Sequence, residues 1–511
     1  MISYDQIKNL SSPEKIPIGI EGFEHITQGG LPKGRATLVT GTSGSGKTFF
    51  SIELTVSCIT KFNRPCVFVS MEEPIEEIVK NFIKLDWNLA QCVKEKKLAL
   101  IDMSYHVSNG IEVGDFNLKG LLVQIKYAVE QVKAQFVIID SIAALFYQYE
   151  NIRIIRREIH SLINELKNKG MTVIITAERL DNYDSVSRFG IEEFVVDNVI
   201  ILRSILEDEK IRRTIQILKM RGDVHAQGEF PFIISKKGMN ILTLSSIELK
   251  QSSSNVRLSF GNKTLDKMTG GGIFKDSIIL VNGPTGTGKT LLCATFVQVA
   301  CQTNEKVIIF AYEESRQQLI RNAQSFGVDF EAWELKGLLK IVCAYPEIMS
   351  LEEHLLSIRK NIDEFSPQRL IIDSISAIER VGSERNFREF VIGLTSYAKK
   401  VEICSLMAST TAGLAGASSI TDYHISTITD AIILLRYLEI NGMMKRGIAV
   451  IKMRGSQHEK EIREFEINDN GVHIGKPFKN MQNIILGIPS SAGIPETEKL
   501  KQLFDEGGEN D

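Results

Sequence analysis

Short apolar runs rich in Val, Ile, Leu and Thr recur along this chain, separated by longer stretches whose apolar positions repeat with helical period. In the first half they are Thr37–Thr40, Val67–Ser70, Phe136–Asp140, Thr172–Thr176 and Asn198–Arg203. In the second they are Ile278–Asn282, Val307–Ala311, Leu370–Asp373, Ile403–Ala408 and Ala431–Tyr437. A run without polar alternation predicts a strand covered on both faces, and regular alternation with helices predicts an α/β fold with a mainly parallel central sheet flanked by helices in each half. Such sheets bind ligands beyond the carboxyl ends of their strands, so the residues that follow the runs are the ones to read for chemistry.

Two of the runs lead directly into glycine-rich loops of the form G-x-x-x-x-G-K-T. The first comprises Gly41, Thr42, Ser43, Gly44, Ser45, Gly46, Lys47 and Thr48; the second comprises Gly283, Pro284, Thr285, Gly286, Thr287, Gly288, Lys289 and Thr290. Small residues let backbone N–H groups curl around phosphates, the lysine reaches the β and γ oxygens, and the threonine hydroxyl is placed to bind magnesium. The preceding segments, GGLPKGRATLVTG and GGGIFKDSIILVNG, match at the same offset, so the loop is duplicated together with its strand and turn. Two nucleotide-binding P-loop NTPase domains follow.

The chain of 511 residues is 43% hydrophobic and 24% charged, enough for two cores of ordinary size. The repeat divides it into a first domain at 1–247, a linker at 248–256, a second domain at 257–486 and a mobile tail at 487–511. A formal net charge of −3 provides no global field toward nucleic acid or an anionic membrane, and neither is expected as a partner. Seven scattered cysteines, none in C-x-x-C, read as small core residues rather than as a disulfide framework or a zinc site. With a polar amino-terminal segment and no apolar run near the length of a membrane helix, a cytoplasmic protein is expected.

Acids occupy the strand ends where chemistry is anticipated. Asp140 and Asp373 close the runs FVIID and RLIID, positions from which a carboxylate orders magnesium and its water shell. A second strand in each half ends in paired acids, Glu72 with Glu73 and Glu313 with Glu314. A glutamate there can accept a proton from an attacking water or hydroxyl, and a neighbouring acid raises its pKa. Capping of the following helix is the alternative for one member of each pair.

A third shared feature is K-M-R-G with a histidine three residues further on: Lys219, Arg221 and His225, then Lys452, Arg454 and His458. These residues read either as a solvated face or, in an oligomer, as cations that reach a neighbour's phosphates. The offset that aligns them places Ser426 and Thr427 opposite Glu193 and Phe194, so paired hydroxyls occur in the second half alone. By themselves a serine and a threonine in a polar loop are turn residues or caps as readily as phosphate acceptors.

Together, SITDYHISTITD, the downstream AIILLRYLEINGMMKRGIAVIKMRGSQHEKEIREFEI, IIDSISAIER, GDFNLKGLLVQIKYAVEQ and VVDNVIILR resemble the KaiC family, the two-lobed ATPases and autokinases of bacterial circadian clocks within the RecA-like superfamily. The resemblance spans nearly the whole chain. It implies two tandem RecA-like domains in a homohexamer that binds ATP with magnesium ions (Mg2+) between subunits, with Thr48, Asp140, Thr290 and Asp373 at the metal. It also implies slow hydrolysis through Glu72 and Glu73, and autophosphorylation of Ser426 and Thr427 with Glu313 as base and Glu314 beside it. Lys219, Arg221, His225, Lys452, Arg454 and His458 would then contact the nucleotide of the next subunit. Arg212 and Arg213 match positions near the first-ring nucleotide, and Arg380 matches one near the second-ring acceptor loop. A KaiB-like partner fits the segment GDFNLKGLLVQIKYAVEQ, whereas the tail matches the family only loosely and a KaiA-like partner is not expected. Two other classes share the loops and acids: a RecA- or DnaB-like DNA motor, which should carry basic, aromatic loops, and a scaffold whose ATP is purely structural.

Overall fold

In the computed structural model the described residues are 14–85, 87–104, 118–146, 152–179, 195–207, 210–243, 254–411, 425–440, 442–468, 471–479, 481–482 and 490–491. Two compact units, residues 1–246 and 247–511, divide the chain.

The first unit is built on a nine-stranded sheet. Its strands are β1 (Ala36–Gly41), β2 (Cys66–Ser70), β3 (Leu98–Asp102), β4 (Phe136–Asp140), β5 (Thr172–Glu178), β6 (Asn198–Glu207), β7 (Lys210–Met220), β8 (Glu229–Ser235) and β9 (Gly238–Ile241), in the order β9-β8-β7-β6-β1-β5-β4-β2-β3. From β6 to β3 all neighbours are parallel; β7, β8 and β9 then continue antiparallel from β6. Every residue of β1, β2 and β4 is buried, as runs without polar alternation require. Helix α1 (Lys47–Phe62) packs on one face, burying Phe50, Ile52, Leu54 and Ile59 in a core shared with Val39, Phe68, Ile138 and Ile174. Helices α2 (Leu118–Val132) and α3 (Ile152–Asn168) cover the other face, with Ile125, Ile159 and Leu166 against Leu38, Val69 and Val137.

The second unit repeats this plan. Its strands are β10 (Ile278–Gly283), β11 (Val307–Ala311), β12 (Leu339–Cys343), β13 (Arg369–Asp373), β14 (Cys404–Thr410), β15 (Ala431–Ile440), β16 (Met443–Met453), β17 (Arg463–Asn468) and β18 (Gly471–Pro477). They lie in the order β12-β11-β13-β14-β10-β15-β16-β17-β18, the same topology strand for strand. Helix α4 (Lys289–Gln302) follows the loop as α1 does, and α5 (Arg316–Gln324), α6 (Leu351–Phe365) and α7 (Glu384–Lys400) complete the layers.

Each run predicted from the sequence is a strand. The edge strands β3 and β12 and most of the antiparallel flanks β7–β9 and β16–β18 lie outside the predicted runs; in the flanks a late strand was expected only at the K-M-R-G cations, and Lys219 and Lys452 do lie near the ends of β7 and β16. The expected linker at 248–256 lies mostly outside the described residues, as do Glu193 and Phe194 and nearly all of the expected tail. Met481–Gln482 pairs with Ser490–Ser491, so antiparallel pairing continues past residue 486, where the tail was expected to begin. Six cysteines are buried, as predicted for core residues, but Cys343 is exposed. Among the described residues no helix is long and apolar enough to cross a membrane.

Candidate active sites

Each glycine-rich loop joins the central strand of its sheet to the amino terminus of the helix behind it. Gly46 and Gly288 cap α1 and α4 with φ of 95° and 104°, in the left-handed region. A Cβ at Gly46 would stand 2.9 Å from Ile234 Cδ1, and one at Gly288 would stand 2.7 Å from Ile467 Cδ1. Glycine therefore serves both the turn and the close approach of the antiparallel flank. Lys47 Nζ donates to the carbonyls of Gly41 and Thr42, both at 2.9 Å, and Lys289 Nζ donates to those of Gly283 and Pro284 at the same distance. Both ammonium groups are thus folded back over their own loops.

A cavity of about 290 Å³ opens over the first loop, bordered by Ser43, Lys47, Thr48, Glu72, Glu73, Asp140 and Glu178. Burial lowers the pKa of Lys47, opposed by Glu178, then Asp140 and Glu72. Asp140 accepts from Thr176 and is also bonded by Thr48; burial still raises its pKa. Glu72 is exposed overall, yet partial burial of its carboxylate, followed by the charges of Glu178 and Asp140, raises its pKa as well. A glutamate shifted upward beside a strand-end aspartate has the character required of a general base.

The second site repeats the frame with different fastenings. Asp373 is bonded by Thr290, and burial pushes its pKa up to about 6, aided by Glu314 and Glu313. Ser374 Oγ donates to Glu313 Oε1 at 3.1 Å, and an Arg380 guanidinium nitrogen lies 3.8 Å from that same oxygen. Glu314 instead accepts from Asn322 on α5 at 3.1 Å. The two acids therefore part company, Glu313 toward the aspartate strand and Glu314 toward the helix. Arg380 stands at the nucleotide end of the sheet beside Glu313.

Magnesium takes oxygen ligands and keeps several waters, needing only one or two protein groups besides phosphates. A threonine hydroxyl already in contact with a buried strand-end carboxylate, Thr48 with Asp140 and Thr290 with Asp373, fits that demand. Among the described residues no group of three or more His, Cys, Asp or Glu is assembled for a metal.

The remaining cations lie at the opposite end of each sheet. In the first unit Gly41 is opposite Leu202 on β6, whereas Lys219 pairs with Val199 near the start of that strand and its Nζ donates to the Val196 carbonyl at 3.0 Å. Arg221 is exposed beside it, and His225 Nδ1 lies 3.1 Å from the Ala226 carbonyl. In the second unit the start of β15, Ala431, is level with Ile279, four residues before Gly283. Ser426 and Thr427 lie in the single helical turn α8 (Ile425–Ile428) just ahead of that point. Lys452 Nζ donates to the carbonyls of Ser426 at 2.5 Å and Thr429 at 2.6 Å, and Arg454 donates to that of Thr427 at 2.6 Å. Ser426 is half-buried and Thr427 exposed; His458 is half-buried in the turn that follows. The structure thus ties the cations to the backbone of the turn that carries the hydroxyls, and separates both from the glycine loop of their own chain.

Two further residues escaped the sequence reading. Glu178 ends β5 opposite Gly41, and Arg446 Nε donates to the Gly286 carbonyl at 3.3 Å, as Arg213 Nε does to Gly44 at 3.4 Å. The offset relating Lys219 to Lys452 also relates Arg213 to Arg446 and could have found the second. Arg212, by contrast, turns to Glu207 at 3.7 Å.

A duplicated parallel sheet, a phosphate loop at the end of its central strand and a threonine–aspartate pair beside the loop lysine define a tandem P-loop ATPase. A KaiC ATPase family model matches residues 16–246 and again 258–479. The chain belongs to the KaiC family. It is 51% identical over 490 residues to the circadian clock oscillator protein KaiC of Thermostichus vulcanus, covering 96% of this chain and 94% of that protein. The protein of that name from Synechococcus elongatus is 51% identical over 484 residues, covering 95% and 93%, and that from Parasynechococcus marenigrum is 50% identical over 490 residues, covering 96% of each.

Proposed function

We propose that this protein is a clock-type ATPase and autokinase: the first lobe hydrolyses ATP, and the second transfers a γ-phosphoryl group to Ser426 and Thr427 of an adjacent copy. One observation carries the reading. The two hydroxyls share the amino-terminal edge of their sheet with Lys452 and Arg454, while the loop of the same chain lies past the other end of the strand. Four residues of strand separate those levels by roughly 13 Å, before the turn holding the acceptors is added. Transfer within one chain would have to cross that span; a neighbour that presents its loop to this edge removes the difficulty and brings the cations to its phosphates as well. A ring of six is the arrangement that the family resemblance supports.

In the transfer, Glu313 takes the proton of the acceptor hydroxyl while the loop N–H groups, Lys289 and the neighbour's Lys452 and Arg454 offset the phosphate charge. Thr290 and Asp373 would hold magnesium, which neutralises charge on the β and γ oxygens when bound. In the first lobe Glu72 activates water, with Lys47, Thr48 and Asp140 in the corresponding places. Each phosphate added brings about −1.5 to −2 charges to a boundary between copies, sufficient to alter that interface and select partners. A KaiB-like protein on the α2 side of the first lobe is the partner the resemblance favours, with a KaiA-like protein at the tail disfavoured. The cytoplasm is the expected location.

Incubation of the purified protein with γ-labelled ATP tests the autokinase directly. Label is expected on Ser426 and Thr427; its absence from wild type, or its persistence in the S426A/T427A double variant, would sink this reading.

A further inference from the structure

The first cavity contains a carboxylate that its duplicate lacks. Glu178 closes β5 opposite Gly41 and borders the cavity with Lys47, Glu72 and Asp140. At the same register the second lobe sets Thr410 opposite Gly283. The Thr410 N–H donates to Ser376 Oγ at 2.9 Å, and Ser376 is joined at 2.9 Å to Ser374, the hydroxyl bonded to Glu313. Hydroxyls thus stand in the second lobe where the first has an acid.

An additional anion beside the site of a triphosphate opposes binding unless it has a task there. The two proposed reactions differ in their nucleophile. Water has two protons, of which Glu72 can take one; the other needs an acceptor if the oxygen lone pair is to point at phosphorus. A serine or threonine hydroxyl has one proton, so a single base completes its orientation. We propose that Glu178 is the second acceptor for the attacking water in the first lobe, and that Thr410 in its place fits the second lobe to a hydroxyl nucleophile. This rests on the division of labour proposed above.

In hydrolysis the water oxygen bonds to the γ-phosphorus as the bond from that phosphorus to the β–γ bridging oxygen breaks, its electron pair leaving with ADP. One proton passes to Glu72; the second stays hydrogen-bonded to Glu178 and departs on the released phosphate. Glu178 and Glu72 both interact electrostatically with Lys47 and with each other, so both carboxylates belong to the same cavity.

The test uses the full chain with the second lobe silenced by Lys289→Ala. In that parent, E178Q and E178T are expected to lower kcat for phosphate release at least tenfold while affinity for a fluorescent ATP analogue stays within threefold, and E178D to recover part of the loss. In the reciprocal background, Lys47→Ala, T410E is expected to increase phosphate release to water and reduce label on Ser426 and Thr427. A parent no faster than the K47A/K289A double variant overturns the hydrolytic reading and this inference with it. A fast parent whose kcat is unmoved by E178Q and E178T overturns the inference alone. Should those variants lose analogue binding, T410E decides, and phosphate release no higher than its background overturns the proposal.

Discussion

Arg454 donates a hydrogen bond to the backbone carbonyl of Thr427 at 2.6 Å, so a candidate in-trans cation and a candidate phosphate acceptor are joined at one edge of the second lobe. Replacing the guanidinium removes a charge that the transfer would use and loosens the acceptor turn at the same time. Arg454→Ala is expected to reduce γ-label on Ser426 and Thr427 at least tenfold, with phosphate release by the first lobe little changed. Phosphopeptide mapping beside a phosphate-release assay checks both parts; equal loss of the two activities would indicate a general folding defect.

Separation of the loop from the acceptors predicts complementation. Lys289→Ala retains acceptors but lacks a working loop, and the S426A/T427A variant retains the loop but lacks acceptors. Neither alone should incorporate label there, whereas a mixture allowed to exchange subunits should label the Lys289→Ala chains. Mass tagging one variant identifies the labelled chain, and an unlabelled mixture in exchanged oligomers would argue against transfer between copies.

Lys47 and Lys289 each hold two loop carbonyls at 2.9 Å and occupy equivalent positions, but the lobes should respond independently. Lys47→Ala is expected to abolish most steady-state ATP hydrolysis and leave some labelling of Ser426, while Lys289→Ala should do the reverse. Nucleotide counting by filtration should show about half the bound ATP lost in each variant.

Glu53 on α1 is buried and accepts from the Met239 N–H at 2.7 Å, tying the β8–β9 hairpin to the loop helix. Burial pushes its pKa up from 4.5 to about 7, only partly countered by that hydrogen bond and Lys61. For an acid raised in the folded state, the contribution to stability is complete below the unfolded value and declines as pH rises toward the folded one. The first lobe should therefore lose stability between about pH 4.5 and 7, by at most about 3 kcal/mol, and then level off. Glu53→Gln keeps an acceptor for Met239 without the charge, so its melting advantage over wild type should grow across that window and be largest near pH 8. Parallel pH profiles for the two proteins would refute the assignment.

Five of the six parallel strands in each unit and both loops were legible because their causes are local; the edge strands β3 and β12, only partly buried, were not among the predicted runs. An unbroken apolar run such as Phe136–Asp140 has few ways to be buried, and G-x-x-x-x-G-K-T carries its phosphate geometry in eight consecutive residues. The repeat then located the second copy of each. β7 and β16 gave a weaker signal: in Lys210–Met220 and Met443–Met453 each strand opens with charged or partly exposed residues before a short buried stretch, so neither reads as an unbroken apolar run. Glu178 was invisible for a related reason. A lone acid after Thr172–Ala177 has no motif around it, and its meaning depends on Gly41 being its neighbour across the sheet.

Sequence alone was enough to establish a doubled α/β nucleotide-binding chain, its lysines, its strand-end acids and the hydroxyl pair confined to the second half, since each depends on residue type and short spacing. Which groups share a site was decided by the tertiary structure. Strand order carried Glu178 to the first loop and gave Thr410 that place in the second; strand direction moved Ser426, Thr427, Lys452 and Arg454 to the far edge. Proximity between such residues depends on how parallel strands are ordered and registered, and that ordering comes from packing two helical layers on one sheet, a global property that no local stretch of the chain contains.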